Sequence, residues 1–301
     1  MLVLGGCAAA VRTAGPSPAA GPARIAIVSA FEPELERLRA RATLTGTLVI
    51  NGRTHWLGRL EGHDVVLLLS GVSMVNAAMT TQALLDRIPV RLIVFSGIAG
   101  GVNPGLHVGD VTVPARWANY QEFAFARETA DGFDPGRQVF GLPPFGMMYP
   151  RGSYVLVPGA RPDSLERRLW FPVDSAALAV AARVAAAVPL RRCRADDACL
   201  AHEPRVVVGG NGVSGPTFVD NAAYREYAWR TFEADALDME TAAVAIVAWH
   251  NRVPYIAFRS LSDLAGGGPG ANEMRTFLAV AAENAAEAVL AFLRAWPAGG
   301  R

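Results

Sequence analysis

The chain has 301 residues, 51% of them hydrophobic, and a formal net charge of +1. That length and apolar content suffice for one large α/β domain or two small ones and exclude a disordered chain. The near-zero charge excludes the basic excess with which nucleic-acid binders neutralise phosphates. The sequence contains no lysine at all, which removes Schiff-base chemistry, pyridoxal phosphate anchoring and the P-loop lysine together. Carboxylates, hydroxyls, histidine or arginine must supply the chemistry, and no cofactor is expected.

Near the start, Cys7 follows Leu4-Gly5-Gly6, which looks like the cleaved and acylated box of bacterial lipoproteins, although the apolar stretch before it is short and lacks a basic start. Residues 8–23 are dominated by Ala, Gly, Pro and Ser and read as a flexible tether. The expectation is a leader and tether over 1–23, a lipid anchor at Cys7, and a protein exported to the periplasm or held on a membrane. A leader without function would leave it cytoplasmic. No stretch beyond the leader is expected to reach transmembrane length.

Arg24 to Ser29 is a short apolar run that predicts a buried first strand, followed by an amphipathic helix from Glu32 to about Arg41 with Pro33 in its first turn. Glu34 thus falls where a strand gives way to a helix, a position equally suited to complementing the helix dipole. Leu48 to Arg59 and His63 to Leu69 predict antiparallel strands joined by Asn-Gly and Glu-Gly turns, and Ser73 is a candidate N-cap for a helix from Met74 to Asp86. His55 and His63 lack partners at metal spacing, so no metal site is expected.

Arg91 to Phe95 predicts another buried strand, ending in the glycine-rich turn Ser96-Gly97-Ile98-Ala99-Gly100-Gly101, where the backbone could approach a ligand or simply turn tightly. A further strand covers Val108 to Pro114. The stretch from about 118 to 172 is rich in Gly, Pro and aromatics, has poor periodicity, and predicts an irregular excursion serving as a lid or an interface.

Asp174 to Val188 predicts an alanine-rich helix. Cys193 and Cys199 follow in a polar segment without a partner at metal spacing; a local disulfide suits an exported chain, and two free thiols are the alternative. Arg205 to Gly209 reads as a strand, Gly209 to Pro216 as a long flexible turn, and Asp220 as the lead into a helix ending at Phe232. Phe218 beside that turn could stack on a flat ligand, although an isolated Phe is by default a core residue.

Two acidic motifs then stand at element junctions: Leu237-Asp238-Met239-Glu240 before an alanine-rich helix, and Arg259-Ser260-Leu261-Ser262-Asp263 after the apolar run Val253 to Phe258. Ligands of parallel α/β sheets bind at the carboxyl ends of strands, so carboxylates delivered there are candidates for acid chemistry and polar contacts. A last helix spans about Asn272 to Ala295. Strands alternating with helices predict one α/β domain over 24–301.

Together these pieces resemble the nucleoside phosphorylase and nucleosidase superfamily, in particular the methylthioadenosine/S-adenosylhomocysteine nucleosidases. The resemblance rests on Ser96-Gly-Ile-Ala-Gly-Gly with Val108-Gly-Asp110, on Asp238-Met-Glu-Thr-Ala242, and on Arg259-Ser-Leu-Ser-Asp263. Asn211-Gly-Val-Ser, Thr217-Phe-Val-Asp-Asn221 and the paired cysteines also resemble the exported branch that includes plant bark storage proteins. The resemblance implies a three-layer α/β/α fold around a mixed sheet, a homo-oligomer with a dimer favoured, and cleavage of a purine N-glycosidic bond. Asp263 would protonate the leaving purine, and Glu34 would activate the attacking water. Arg259 would stay near the site, and Glu240 would hold the ribose hydroxyls with Met239 against the sugar. Phe218 would stack on the base and Val219 would read its edge, while Ser96, Gly97, Ile98 and Ser262 complete the expected binding set. Superfamily phosphorylases carry an arginine just before the glycine-rich motif; Val94-Phe95-Ser96 stands here, which favours water over phosphate as the acceptor. Ile98 departs from the serine common in the family. A phosphorylase, and a nucleoside-binding or storage-like protein without turnover, are the alternatives.

Overall fold

The computed structural model describes residues 21–298 except 138, 162, 195–197 and 269. In chain order the elements are β1 (Arg24–Ser29), α1 (Glu32–Arg41), β2 (Thr43–Ile50), β3 (Arg53–Leu60), β4 (His63–Leu69), α2 (Met74–Leu85), β5 (Val90–Gly101), β6 (Val111–Val113) and β7 (Arg116–Asn119). The short strands β8 (Phe123–Phe125), β9 (Arg127–Thr129), β10 (Gly132–Asp134), β11 (Met148–Pro150), β12 (Ser153–Leu156), β13 (Leu165–Arg168) and β14 (Trp170–Pro172) follow. The chain continues through α3 (Ser175–Val184), β15 (Val206–Val208), β16 (Asn211–Ser214), α4 (Ala222–Phe232), β17 (Ala234–Asp238), α5 (Thr241–Asn251), β18 (Tyr255–Asp263) and α6 (Met274–Ala295).

The main sheet is mixed, in the order β14-β7-β16-β17-β5-β1-β4-β3-β2, with β18 pairing both β5 and β6 and β15 pairing β6. Its central strands are continuous apolar runs because both faces are covered. Alternation along β1 shows how: Ile25 and Ile27 join Leu35 and Leu38 of α1 and Phe292 and Leu293 of α6, whereas Ala26 and Val28 join Ala77 and Leu84 of α2 and Val244 of α5. Helices therefore lie on both sides of the sheet, which is the three-layer arrangement. Burying each of the larger aliphatic or aromatic side chains contributes roughly 1.5–3 kcal/mol.

The strand β5 organises the site. It runs parallel to β1 on one side and to β18 on the other, and its last residues, Gly100 and Gly101, pair antiparallel with Leu237 and Ala236 of β17. Strand ends that carry the two acidic motifs are thereby brought against one glycine-rich strand.

Several local expectations need correction. Ser96 to Gly101 is the end of β5 rather than a turn, because glycine serves there to let neighbouring side chains cross the strand: a Cβ on Gly97 would lie 2.2 Å from Arg259 Nη1 and 2.5 Å from Glu34 Oε1. Asn211 to Ser214 is a buried strand, not a flexible turn; Gly212 packs on the Trp117 indole and the Asn211 amide donates to the Phe232 carbonyl at 2.9 Å. Only Gly209 and Gly210, both at positive φ, make the turn. Ser73 has φ +78° and forms no side-chain cap. The stretch 118–172 is not featureless: β8 pairs with β11, β9 with β10 and β12 with β13, while β14 pairs with β7 at the edge of the main sheet. Helix α6 is long and apolar enough to cross a membrane by length and composition, contrary to expectation, but 67% of its most apolar window is buried in the core.

Cys193 and Cys199 form a disulfide, with Cα atoms 4.0 Å apart. Cys7 and most of the expected leader lie outside the described residues.

Candidate active site

A cavity of about 310 Å³ opens at the ends of β5, β17 and β18, and Glu34, Asp238, Glu240 and Asp263 all reach its wall. These carboxyls fall into two groups.

The first group surrounds Arg259, which is fully buried. Its Nη2 lies 2.7 Å from Asp238 Oδ2 and 3.7 Å from Glu240 Oε2, and its Nη1 lies 3.8 Å from Glu34 Oε1. Its remaining capacity is taken by Thr241 Oγ1 and the Ile98 carbonyl, and the guanidinium sits 4.1 Å from the centre of the Phe95 ring. Asp238 accepts from the hydroxyls of Ser214 and Thr241 and from the Glu240 and Thr241 amides. Glu34 accepts from the amides of Ala30 at 2.7 Å and Ile98 at 2.8 Å, and Glu240 accepts from Ser73 N–H at 2.7 Å. The role of Ser73 is therefore its amide, which its positive φ helps to present.

One cation faces three acids in a dry place, so charge cannot be carried by all of them cheaply. Burial pushes the Glu34 carboxyl up, against the pull of Arg259 and of the Ile98, Ala30 and Phe31 amides. Burial likewise raises Glu240, to about 7, with Arg259 opposing and Asp238 adding to the rise.

The second group is built on Asp263. Its Oδ1 accepts from Ala265 N–H at 2.8 Å and from the Asn272 amide at 3.3 Å, and its Oδ2 meets the Ser262 hydroxyl at 2.8 Å. Burial raises this carboxyl too; Ala265, Ser262 and Asn272 pull against it, and Asp220 adds to the rise. A carboxyl whose proton affinity is raised beside a cavity is suited to donate a proton.

Between the groups, Met239, Phe218, Val219, Ile98 and Ser262 line the cavity. Phe218 is 53% exposed, so its ring stands at the mouth and is not core. Arg259, Ser96 and Gly97, expected in the site, lie behind the wall instead of on it. Asp238 was not singled out by sequence as a site residue, although it opens the motif that contains Glu240. Asn272, Met274 and Leu278 at the start of α6 were also missed, because nothing in their spacing ties them to Asp263.

The mixed α/β sheet thus gathers four acids on one cavity at its strand ends, an arrangement suited to acid–base chemistry on a small molecule. The chain belongs to the phosphorylase superfamily, whose family model matches residues 24–294. It is 31% identical, over 90% of its length and 99% of the relative's, to a 5′-methylthioadenosine/S-adenosylhomocysteine nucleosidase of Tolumonas auensis. The similar structures include the nucleosidase of the same name from Neisseria meningitidis in complex with methylthio-immucillin-A, at a TM-score of 0.67 and 25% identity, covering 90% of this chain and 99% of that one. They also include the Streptococcus pneumoniae nucleosidase with a transition-state inhibitor, at a TM-score of 0.64 and 26% identity, covering 90% of this chain and 98% of that one.

Proposed function

We propose that this chain hydrolyses the N-glycosidic bond of adenosine-type purine nucleosides, with 5′-methylthioadenosine and S-adenosylhomocysteine as the model substrates. The observation that carries the reading is the convergence of Glu34, Glu240 and Asp263 on one cavity, each carboxyl raised by burial. Asp263 donates a proton to N7 of the leaving purine, so that the base departs neutral. Glu34 orients and deprotonates the water that attacks the anomeric carbon as the ribosyl cation develops. Glu240 accepts from the ribose hydroxyls, Met239 packs on the sugar, Phe218 stacks on the base, and the Val219 backbone meets its edge. Arg259 touches none of these; it holds Glu34, Asp238 and Glu240 in place.

Water is favoured over phosphate by electrostatics. Among the described residues the cavity wall includes four acids and no Arg or His, and Arg259 behind it is spent on internal partners. A phosphate dianion there would meet carboxylates and no cation on the wall, whereas water meets an acceptor in Glu34. The test is release of free base from a panel of adenine and guanine nucleosides, 5′-thio forms included, with and without phosphate. Release indifferent to phosphate is expected. Release only with phosphate would make the protein a phosphorylase, and tight binding without release would make it a binder.

Two finer readings accompany this one. A homodimer is supported by Val75 and Met79, 78% and 51% exposed on α2 beside the cavity residue Val72, since apolar side chains clustered on one helix face are suited to burial against a second copy. A monomer at micromolar concentration in size-exclusion chromatography would refute it. Export, with acylation at Cys7, is supported by the Cys193–Cys199 disulfide, which an oxidising compartment preserves. Recovery of the chain in the cytosol with both thiols free would refute that.

A further inference from the structure

Resting on the reading of Asp263 as the general acid, we propose that Asn272 is a positioning residue that fixes on which oxygen Asp263 carries its proton and ties Asp263 to the segment that carries Phe218 and Val219. The Asn272 side-chain oxygen accepts from Met274 N–H at 2.9 Å, which settles the orientation of the amide: its nitrogen must point the other way. That nitrogen donates to Asp263 Oδ1 at 3.3 Å and to Asp220 Oδ1 at 3.1 Å. One side chain thus joins the start of α6, the segment that carries Phe218 and Val219, and the acid at the end of β18.

The consequence for the proton follows from counting lone pairs. Oδ1 of Asp263 already accepts from Asn272 and from Ala265 N–H, so both of its acceptor positions are filled and a proton there would displace a donor. Oδ2 meets only the Ser262 hydroxyl, which also lies 3.4 Å from the Ala99 carbonyl. With Asp263 protonated, Ser262 turns its O–H to Ala99 and accepts from Oδ2; with Asp263 ionised, it turns back and donates. Oδ2 is therefore the oxygen that gives up the proton.

The charged group acting on Asp263 is Asp220, from the segment before α4. The other elements packed on it present neutral groups: Gly100 of β5, Ser262 of β18 and Asn272 before α6. Arg225 of α4 turns instead to the Gly101 carbonyl, at 3.0 Å. Asn272 stands between the two acids and donates to both, so it favours the carboxylate of Asp263 and shields it from Asp220. Removing the amide leaves the carboxyl easier to protonate and worse placed.

The experiment compares N272A and N272D with the unsubstituted chain on 5′-methylthioadenosine and on 4-nitrophenyl riboside, whose leaving group departs without protonation. For N272A the expectation is a kcat on the nucleoside lower by roughly tenfold, little change on the nitrophenyl riboside, and an alkaline limb of kcat/KM moved upward by about half a unit to one unit. For N272D, which keeps the acceptor for Met274 N–H but adds a third acid, the limb moves further in the same direction. Equal losses on both substrates, or a limb that stays in place, would make Asn272 merely structural and overturn the proposal. D263N is run alongside: if it retains nucleoside cleavage, the reading of Asp263 itself fails, an outcome separate from any result with Asn272.

Discussion

The two acid groups on the cavity are opposites in construction. Around Arg259 the carboxyls are carried at strand ends and the first turns of α1 and α5, are almost wholly buried, and share one cation that is itself fully buried. Around Asp263, at the end of β18, the partners are Ser262 of the same strand and Ala265 and Asn272 of the segment after it, and no cation acts on the carboxyl among the described residues. The first arrangement holds its carboxyls around one buried cation. The second raises a lone acid by burial without a cation and joins it to Ala265 and Asn272 of the segment after β18. Placement of nucleophile and sugar is thus given to a shared cation, and proton donation to a carboxyl held only by neutral donors.

Removing the cation is the strongest way to break this contrast. R259M leaves Glu34, Asp238 and Glu240 without their common partner, and loss of one member of a buried ionic cluster costs about 3–5 kcal/mol. The expected result is a matching fall in unfolding free energy by denaturant titration, together with loss of activity, whereas D263N lowers turnover with little effect on stability. Equal stability for the two variants would mean that the groups are not built differently.

E34Q addresses chemistry within the first group. Ile98 and Ala30 N–H bind different oxygens of Glu34, so the amide keeps an acceptor for only one of them, and it cannot take a proton; turnover is expected to fall by about 10²–10⁴-fold while inhibitor affinity by calorimetry is retained. Affinity lost in proportion to turnover would assign Glu34 to binding.

E240Q sharpens the electrostatic side. With its carboxyl raised to about 7, Glu240 adds stability at pH below its ordinary value of 4.5 and loses that contribution as pH rises through about 7. Subtracting the E240Q stability profile from the wild-type one should therefore leave a difference that falls across this window. Substrate binding runs the other way, because accepting two ribose hydroxyls needs the carboxylate: KM should rise as pH drops below about 7 in the wild type and stay high and flat in E240Q. A pH-independent wild-type KM would remove Glu240 from the sugar.

How far the sequence reveals these groups follows from their construction. Glu34, Glu240 and Asp263 are legible because each sits where an apolar run ends, and the sheet brings such ends together. The glycine motif is legible as a close approach but not as a strand, since whether Gly97 turns or lies flat depends on Arg259 crossing it from another element. Likewise Gly212 reads as loop until Trp117 packs against it. Asn272 is invisible for the same reason: its partners Asp220 and Asp263 are joined to it only by the packing of three segments.

The mildest expected effect, and the one that bears on the choice between water and phosphate, belongs to Ile98. Its backbone is already committed, with N–H to Glu34 and C=O to Arg259, so a substitution there changes only the side chain on the cavity wall. A serine restores a hydroxyl within the wall next to the Glu34 amide contact, at a stability cost of about 1 kcal/mol for the lost apolar atoms of a half-buried residue. With Glu34 as base, I98S should raise kcat several-fold by holding the attacking water, and base release should remain indifferent to phosphate, because the change adds a donor and no charge. If I98S instead became phosphate-dependent, a single hydroxyl would have outweighed the field of the carboxylates Glu34, Asp238 and Glu240, and exclusion of phosphate would rest on the shape of Ile98. Electrostatics predicts otherwise, since the repulsion arises from Glu34, Asp238 and Glu240 and is untouched by the substitution.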